Sequence, residues 1–137
     1  MLVRDIMTSE VTTLERNDKL TIADDVMRLG RIRHMPVLED DEKGVAGMVS
    51  QRDLFRGALV RALGYGEVAQ RRVMNTILVK EVMTTDVVTT TPDTPLAEAA
   101  HLMVERKIGC LPVVDNGDLV GILTESDFVE LAAKLQD

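Results

Sequence analysis

Apolar positions recur at helical spacing in two places. Leu20, Ala23, Met27 and Gly30 fall on one face of a predicted helix, and Leu96, Ala99 and Met103 on one face of another. Asn17 or Asp18 is placed to cap the first helix, and Asp93 or Thr94 the second, with Pro95 suited to its first turn. Each helix follows a β-branched run, Val11-Thr12-Thr13 or Val87–Thr91, which predicts a strand. Each precedes two short apolar runs. In the first case these are Met35-Pro36-Val37-Leu38 and Val45–Val49, joined by an acidic turn with Gly44. In the second they are Leu111–Val114 and Leu119–Leu123, joined by Asn116-Gly117, a strong hairpin signal. Proline is poor in a central strand, so Pro36 and Pro112 predict an edge. Closing helices are predicted from Gln51 to about Leu63 and from Glu125 to about Gln136, with a further one over Glu67–Asn75.

The two patterns are one pattern repeated. Val3-Arg4-Asp5-Ile6-Met7-Thr8 returns as Val79-Lys80-Glu81-Val82-Met83-Thr84, an offset of 76 that also pairs Leu20 with Leu96, Met27 with Met103 and Pro36 with Pro112. From Gly47 and Gly121 to Asp53 and Asp127 the offset is 74, so the first copy carries two extra residues, placed in the turn Glu39 to Lys43. Insertions belong in surface turns, which supports the alignment. The expected organisation is repeat 1 over 1–63, a linker over 64–78 and repeat 2 over 79–137. Each repeat reads as βαββα, too small to be stable alone, so two would share a core. The fold class is mixed, α+β or α/β: two tandem repeats related by a pseudo-twofold axis, small mixed sheets packed with helices.

Composition narrows the function. Hydrophobic residues make up 45% of the 137 and aromatics 2%, so the core is aliphatic and base-stacking platforms are disfavoured. A net charge of −7 argues against a general binder of phosphate backbones, and nucleic acid is not an expected partner. One cysteine, Cys110, excludes an internal disulfide and a thiolate cluster. No signal-peptide pattern and no membrane-length apolar run is present, so a soluble cytoplasmic location is expected.

The Asp-Ile-Met-Thr and Glu-Val-Met-Thr openings, the Met-Pro-Val and Leu-Pro-Val strands, and the corners Gly47-Met48-Val49-Ser50-Gln51-Arg52-Asp53 and Gly121-Ile122-Leu123-Thr124-Glu125-Ser126-Asp127 carry a resemblance. The chain resembles a tandem pair of cystathionine β-synthase (CBS) domains, a Bateman module, over nearly its whole length apart from the linker. The resemblance implies two clefts between repeats, a regulatory role as a sensor of adenosine-containing ligands (AMP, ADP, ATP, S-adenosylmethionine or NAD), and homodimers of four repeats arranged as a disc. It also implies that the corner aspartate holds ribose.

The corners admit two readings. Ser50-x-x-Asp53 and Thr124-x-x-Asp127 fit a capping box, with Asp in place of the usual Glu or Gln. The same geometry suits a nucleotide: a helix start offers N–H groups to an anion, Ser50 or Thr124 can donate to an oxygen, and the Asp53 or Asp127 carboxylate can accept from both ribose hydroxyls. Arg52 adds a guanidinium suited to phosphate, while the second copy has Ser126 there, a departure from the basic residue of strong phosphate sites in the family. Adenine would be lined by Val11, Thr13, Met35 and Pro36 in the first copy and by Val87, Thr89, Leu111 and Pro112 in the second, residues that ordinary core packing explains as well.

His34 and Cys110 occupy equivalent positions, too few ligands for zinc, and His101 reads as a surface residue. The methionines sit at core positions. No nucleophile, base and orienting group assemble, so the expectation is a non-enzymatic module with no obligatory cofactor, an adenine nucleotide as its regulatory ligand, and an unidentified regulated protein as partner. The rival is a ligand-free dimerisation or docking module whose corners are only caps.

Overall fold

The structure is a computed structural model that describes residues 1–54 and 66–135. The end of the predicted helix from Gln51 to Leu63, the linker positions Gly64 and Tyr65, and Gln136 lie outside the described residues. The chain divides into two compact units. One, the first-corner unit, is Thr12–Val87; the other, the second-corner unit, joins Met1–Val11 to Val88–Asp137. The crossing points, after Val11 and after Val87, are the same position in the two copies. Each opening segment therefore packs with the other copy's corner.

In the first-corner unit, β1 (Leu14–Glu15) runs parallel to β2 (His34–Leu38), which pairs antiparallel with β3 (Val45–Ser50). Helix α1 (Leu20–Gly30) precedes β2, residues 51–54 are helical after β3, and α2 (Gly66–Met74) and α3 (Val79–Val82) complete the unit. In the second-corner unit a 3-10 turn (Val3–Asp5) leads to α4 (Leu96–Arg106), the antiparallel pair β4 (Cys110–Asp115) and β5 (Asp118–Thr124), and α5 (Glu125–Ala133).

The strand expected at Val11–Thr13 is displaced, and the one expected at Val87–Thr91 is reduced. In the first copy the ladder forms at Leu14–Glu15, where Leu14 is 2% exposed. In the second it reduces to one parallel bridge, Thr90 to Val113, with Thr90 N–H on the Pro112 carbonyl at 3.0 Å. A β-branched run supplies propensity; the ladder forms only where the chain reaches its neighbour's free edge. The same register break follows Val37 and Val113. Asn116 (φ 53°) and Gly117 (φ 85°) make the expected tight hairpin.

The helix starts also differ from expectation. The residues before α1 and α4 are Lys19 and Pro95, and neither caps with its side chain. Asp18 is used upstream, accepting from the Glu15 N–H at 2.8 Å, while Asp93 pairs with Arg4. The Leu20 N–H bonds to the Ile77 carbonyl and the Leu96 N–H to the Met1 carbonyl, each at 2.9 Å. Backbone from an opening segment thus satisfies a helix donor that a side chain would otherwise take. Both helices end on a left-handed residue, Arg31 (φ 53°) and Lys107 (φ 54°).

The cores are aliphatic. Leu14, Leu20, Ala23, Met27, Met35, Val37, Val49 and Val79 cluster in one unit, and Val3, Leu96, Ala99, Met103, Leu111, Val113 and Leu123 in the other. The opening valines Val3 and Val79 are fully buried. Burial of such a side chain contributes roughly 1.5–3 kcal/mol, so each opening segment is anchored by its core contact as well as by hydrogen bonds.

Candidate functional site

Each corner is built where an opening segment meets the last strand of a unit. Thr8 exchanges two backbone hydrogen bonds with Ile122, both 2.9 Å, and Thr84 exchanges two with Met48, at 2.8 and 2.9 Å. The adjacent glycine makes this approach feasible. A Cβ on Gly121 would lie 3.0 Å from the Thr8 carbonyl oxygen and 2.8 Å from the Met7 sulfur. On Gly47 it would lie 2.8 Å from the Thr84 carbonyl oxygen and 2.7 Å from the Met83 sulfur. The Met-Thr of each opening and the Gly of each corner are therefore one feature.

After the strand, the chain turns into a helix. At the first corner Ser50 N–H donates to Asp53 Oδ2 at 2.8 Å, and Asp53 N–H donates to Ser50 Oγ at 3.1 Å. This is a reciprocal capping box. At the second corner Thr124 N–H donates to Asp127 Oδ2 at 2.8 Å, and the Thr124 hydroxyl donates to the same oxygen at 3.2 Å. The first helical N–H, from Gln51 or Glu125, bonds to the Arg33 or Gly109 carbonyl at 2.8 or 3.1 Å. Both corners thus satisfy the strand-end N–H and the first helical N–H within their own unit.

The carboxylates differ. Asp127 is 8% exposed, and its second oxygen, Oδ1, accepts from the Thr8 hydroxyl at 3.0 Å. Asp53 is half-buried, and among the described residues only its Oδ2 is engaged. Arg52 is exposed beside it, without an ion pair among the described residues, whereas exposed Ser126 stands at that position in the second corner. The first corner therefore offers a hydroxyl, a guanidinium and a carboxylate oxygen without a partner among the described residues; the second offers a carboxylate with both oxygens hydrogen-bonded.

The other candidates are distributed by the exchange of opening segments. Thr13, Met35, Pro36 and Val87 belong to the unit of Ser50, Arg52 and Asp53, while Val11, Thr89, Leu111 and Pro112 belong to the unit of Thr124 and Asp127. Met35 and Leu111 are fully buried members of the two cores, and Pro36 and Pro112 are buried. Val11, Thr13 and Val87 are half-buried and Thr89 is exposed. Thr8 and Thr84 were not singled out from sequence as site residues. The signal was present in the repeated Met-Thr, but its meaning depends on which corner each opening reaches.

Cys110 is buried, and desolvation, with the Glu125 charge adding to it, pushes its thiol up to about 12. His101 is exposed. Among the described residues no group of three or more His, Cys, Asp or Glu is placed to hold a metal, and no helix is long and apolar enough to cross a membrane.

Comparison with known proteins places the chain. The CBS domain family profile matches residues 3–59 and 79–134. The CBS domain-containing protein YhcV of Bacillus subtilis is 33% identical over 126 residues, 91% of this chain and 81% of that protein. Other relatives are longer: the chain spans 42% of the protein MJ1225 of Methanocaldococcus jannaschii and 24% of a homoserine O-acetyltransferase of Methanohalobium evestigatum. Among solved structures, CBSX2 in complex with AMP aligns with a TM-score of 0.78 at 30% identity, covering 97% of this chain and 96% of that one. The CBS domain pair of protein MJ0100, in complex with 5′-methylthioadenosine and S-adenosyl-L-methionine, aligns with a TM-score of 0.76 at 27% identity, covering 97% and 96%. With both sequence repeats matched by the same profile, the chain belongs to the CBS domain family, as a tandem pair.

Proposed function

We propose that this chain is a regulatory module that binds an adenosine-containing ligand without transforming it, and that the first corner carries the recognition. Asp53 Oδ1 accepts from ribose, the Ser50 hydroxyl donates to a ribose or phosphate oxygen, and Arg52 pairs with phosphate. The observation that supports this most is the conjunction of a carboxylate oxygen and an exposed guanidinium one residue away, neither of them paired among the described residues. The AMP complex of CBSX2 and the S-adenosylmethionine and methylthioadenosine complex of the MJ0100 pair support this ligand class. A thermal-shift series with adenosine, AMP, ATP and S-adenosylmethionine tests it, because a native-state ligand raises the melting temperature with concentration.

The rival reading, a ligand-free docking module, is favoured by the reciprocal Ser50–Asp53 bonds, which a helix cap alone explains. It predicts no thermal shift with any of these ligands.

The assembly we infer is a homodimer through the second-corner unit. A groove of about 630 Å³ between α4 and α5 is lined by Ala100, Met103, Val104, Phe128 and Val129, with Val104 75% and Val129 67% exposed. The equivalent face of the other unit carries Asp24 and Arg28, and α2 lies against it through Arg71 on Asp25 at 3.0 Å. An exposed apolar face left uncovered among the described residues suits a second copy.

A further inference from the structure

We infer that the two corners of this chain are functionally unequal: the Thr8 hydroxyl latches Asp127, so that one adenosine ligand binds per chain, at Ser50-Arg52-Asp53. The inference rests on the ligand class proposed above and adds the stoichiometry and the residue that sets it. A corner carboxylate reads ribose by accepting from its hydroxyls, so its acceptor sites must be open to the ligand. Asp127 has Oδ1 taken by Thr8 at 3.0 Å and Oδ2 by the Thr124 N–H and hydroxyl, and it is 8% exposed. A ribose there competes with the Thr8 hydroxyl for Oδ1 on a carboxylate that is already nearly buried.

Thr84 is the counterpart of Thr8 and makes the same backbone exchange, with Met48. It is exposed, as Thr8 is, but it makes no hydrogen bond to Asp53 among the described residues. A second, independent difference points the same way: Arg52 stands at the first corner where the second has Ser126. A hydrogen bond to a charged group, once it must be broken, lowers affinity roughly tenfold or more. The opening segment thus acts in the second corner as an internal occupant of the acceptor that a ligand would use, and it ties the chain start to α5.

The test is calorimetric titration of the whole chain with AMP, and separately with S-adenosylmethionine, for wild type, Thr8→Val, Thr8→Ser and Asp53→Asn. The expected result is one site per chain in wild type and in Thr8→Ser, a second site in Thr8→Val, and at least tenfold weaker binding in Asp53→Asn. Two equal sites in wild type, one unchanged site in Thr8→Val, or unchanged affinity in Asp53→Asn would overturn the inference while leaving the ligand class standing. No binding of either ligand by wild type would overturn the ligand class and the inference together. Thr8→Val keeps the side-chain shape and the backbone pair with Ile122; if it still fails to fold, the wild-type stoichiometry and Asp53→Asn decide.

Discussion

The Thr8 hydroxyl donates to Asp127 Oδ1 at 3.0 Å, joining residues 119 positions apart in sequence. With the Met1 carbonyl on the Leu96 N–H and Val3 fully buried, it makes the first eight residues a structural part of the second-corner unit. Deleting residues 1–8 is therefore expected to cost roughly 3 kcal/mol or more, counting one buried valine and the exposed helix start. Chemical denaturation checks it. A truncated chain as stable as the full one would show that the opening segment is only appended.

Gly47 and Gly121 stand where strand and opening segment approach most closely. Gly121→Ala and Gly47→Ala are each expected to destabilise by about 1–3 kcal/mol, because a backbone oxygen and not only a flexible methionine lies in the way. Gly117→Ala has open space but a φ of 85°, so it costs by backbone strain alone. Equal stability of Gly47→Ala and wild type by thermal melting would contradict the close approach.

Much of this architecture was legible in the sequence because it is written twice. The helical faces of Leu20-Ala23-Met27 and Leu96-Ala99-Met103, the hairpin at Asn116-Gly117 and the hydroxyl–carboxylate corners follow from periodicity and turn chemistry. The segment exchange was not legible. Periodicity reports which face of an element is buried, and nothing in Val11-Thr12-Thr13 says which edge it will reach. The caps differ for the same reason: Ile77 and Met1 supply acceptors where Asn17 or Asp18, and Asp93 or Thr94, were expected. The inequality of Asp53 and Asp127 follows from that long-range placement, and only the Arg52–Ser126 difference was readable beforehand.

Cys110 gives a pH prediction. Burial raises its thiol from 9.0 to about 12 in the folded protein, so the unfolded chain loses this proton first as pH rises. The associated stability is complete below about pH 9 and is lost progressively towards pH 12. At neutral pH the native thiol is expected to resist iodoacetamide for hours and to react on unfolding. Rapid native alkylation would contradict the burial.

The α4–α5 groove predicts the oligomer. Val104→Lys or Val129→Glu places a charge on the exposed apolar face and is expected to shift a dimer to monomer in sedimentation, with little change in melting of the monomer. Leu29→Lys, which is 87% exposed on α1 and outside that groove, is the control and should leave the dimer intact. A wild-type monomer at high micromolar concentration would contradict the assembly.

The central claim is that the first corner reads an adenosine ligand and is more than a cap. The most direct measurement is the calorimetric affinity of AMP and of adenosine for wild type, Arg52→Ala and Asp53→Ala. The account predicts that Asp53→Ala weakens both ligands, and that Arg52→Ala weakens AMP roughly tenfold or more while sparing adenosine, the worth of a charge-assisted contact of about 1.5–3 kcal/mol. Equal AMP affinity in all three proteins, with Asp53→Ala losing only about 1 kcal/mol of folding stability as a broken cap would, contradicts it.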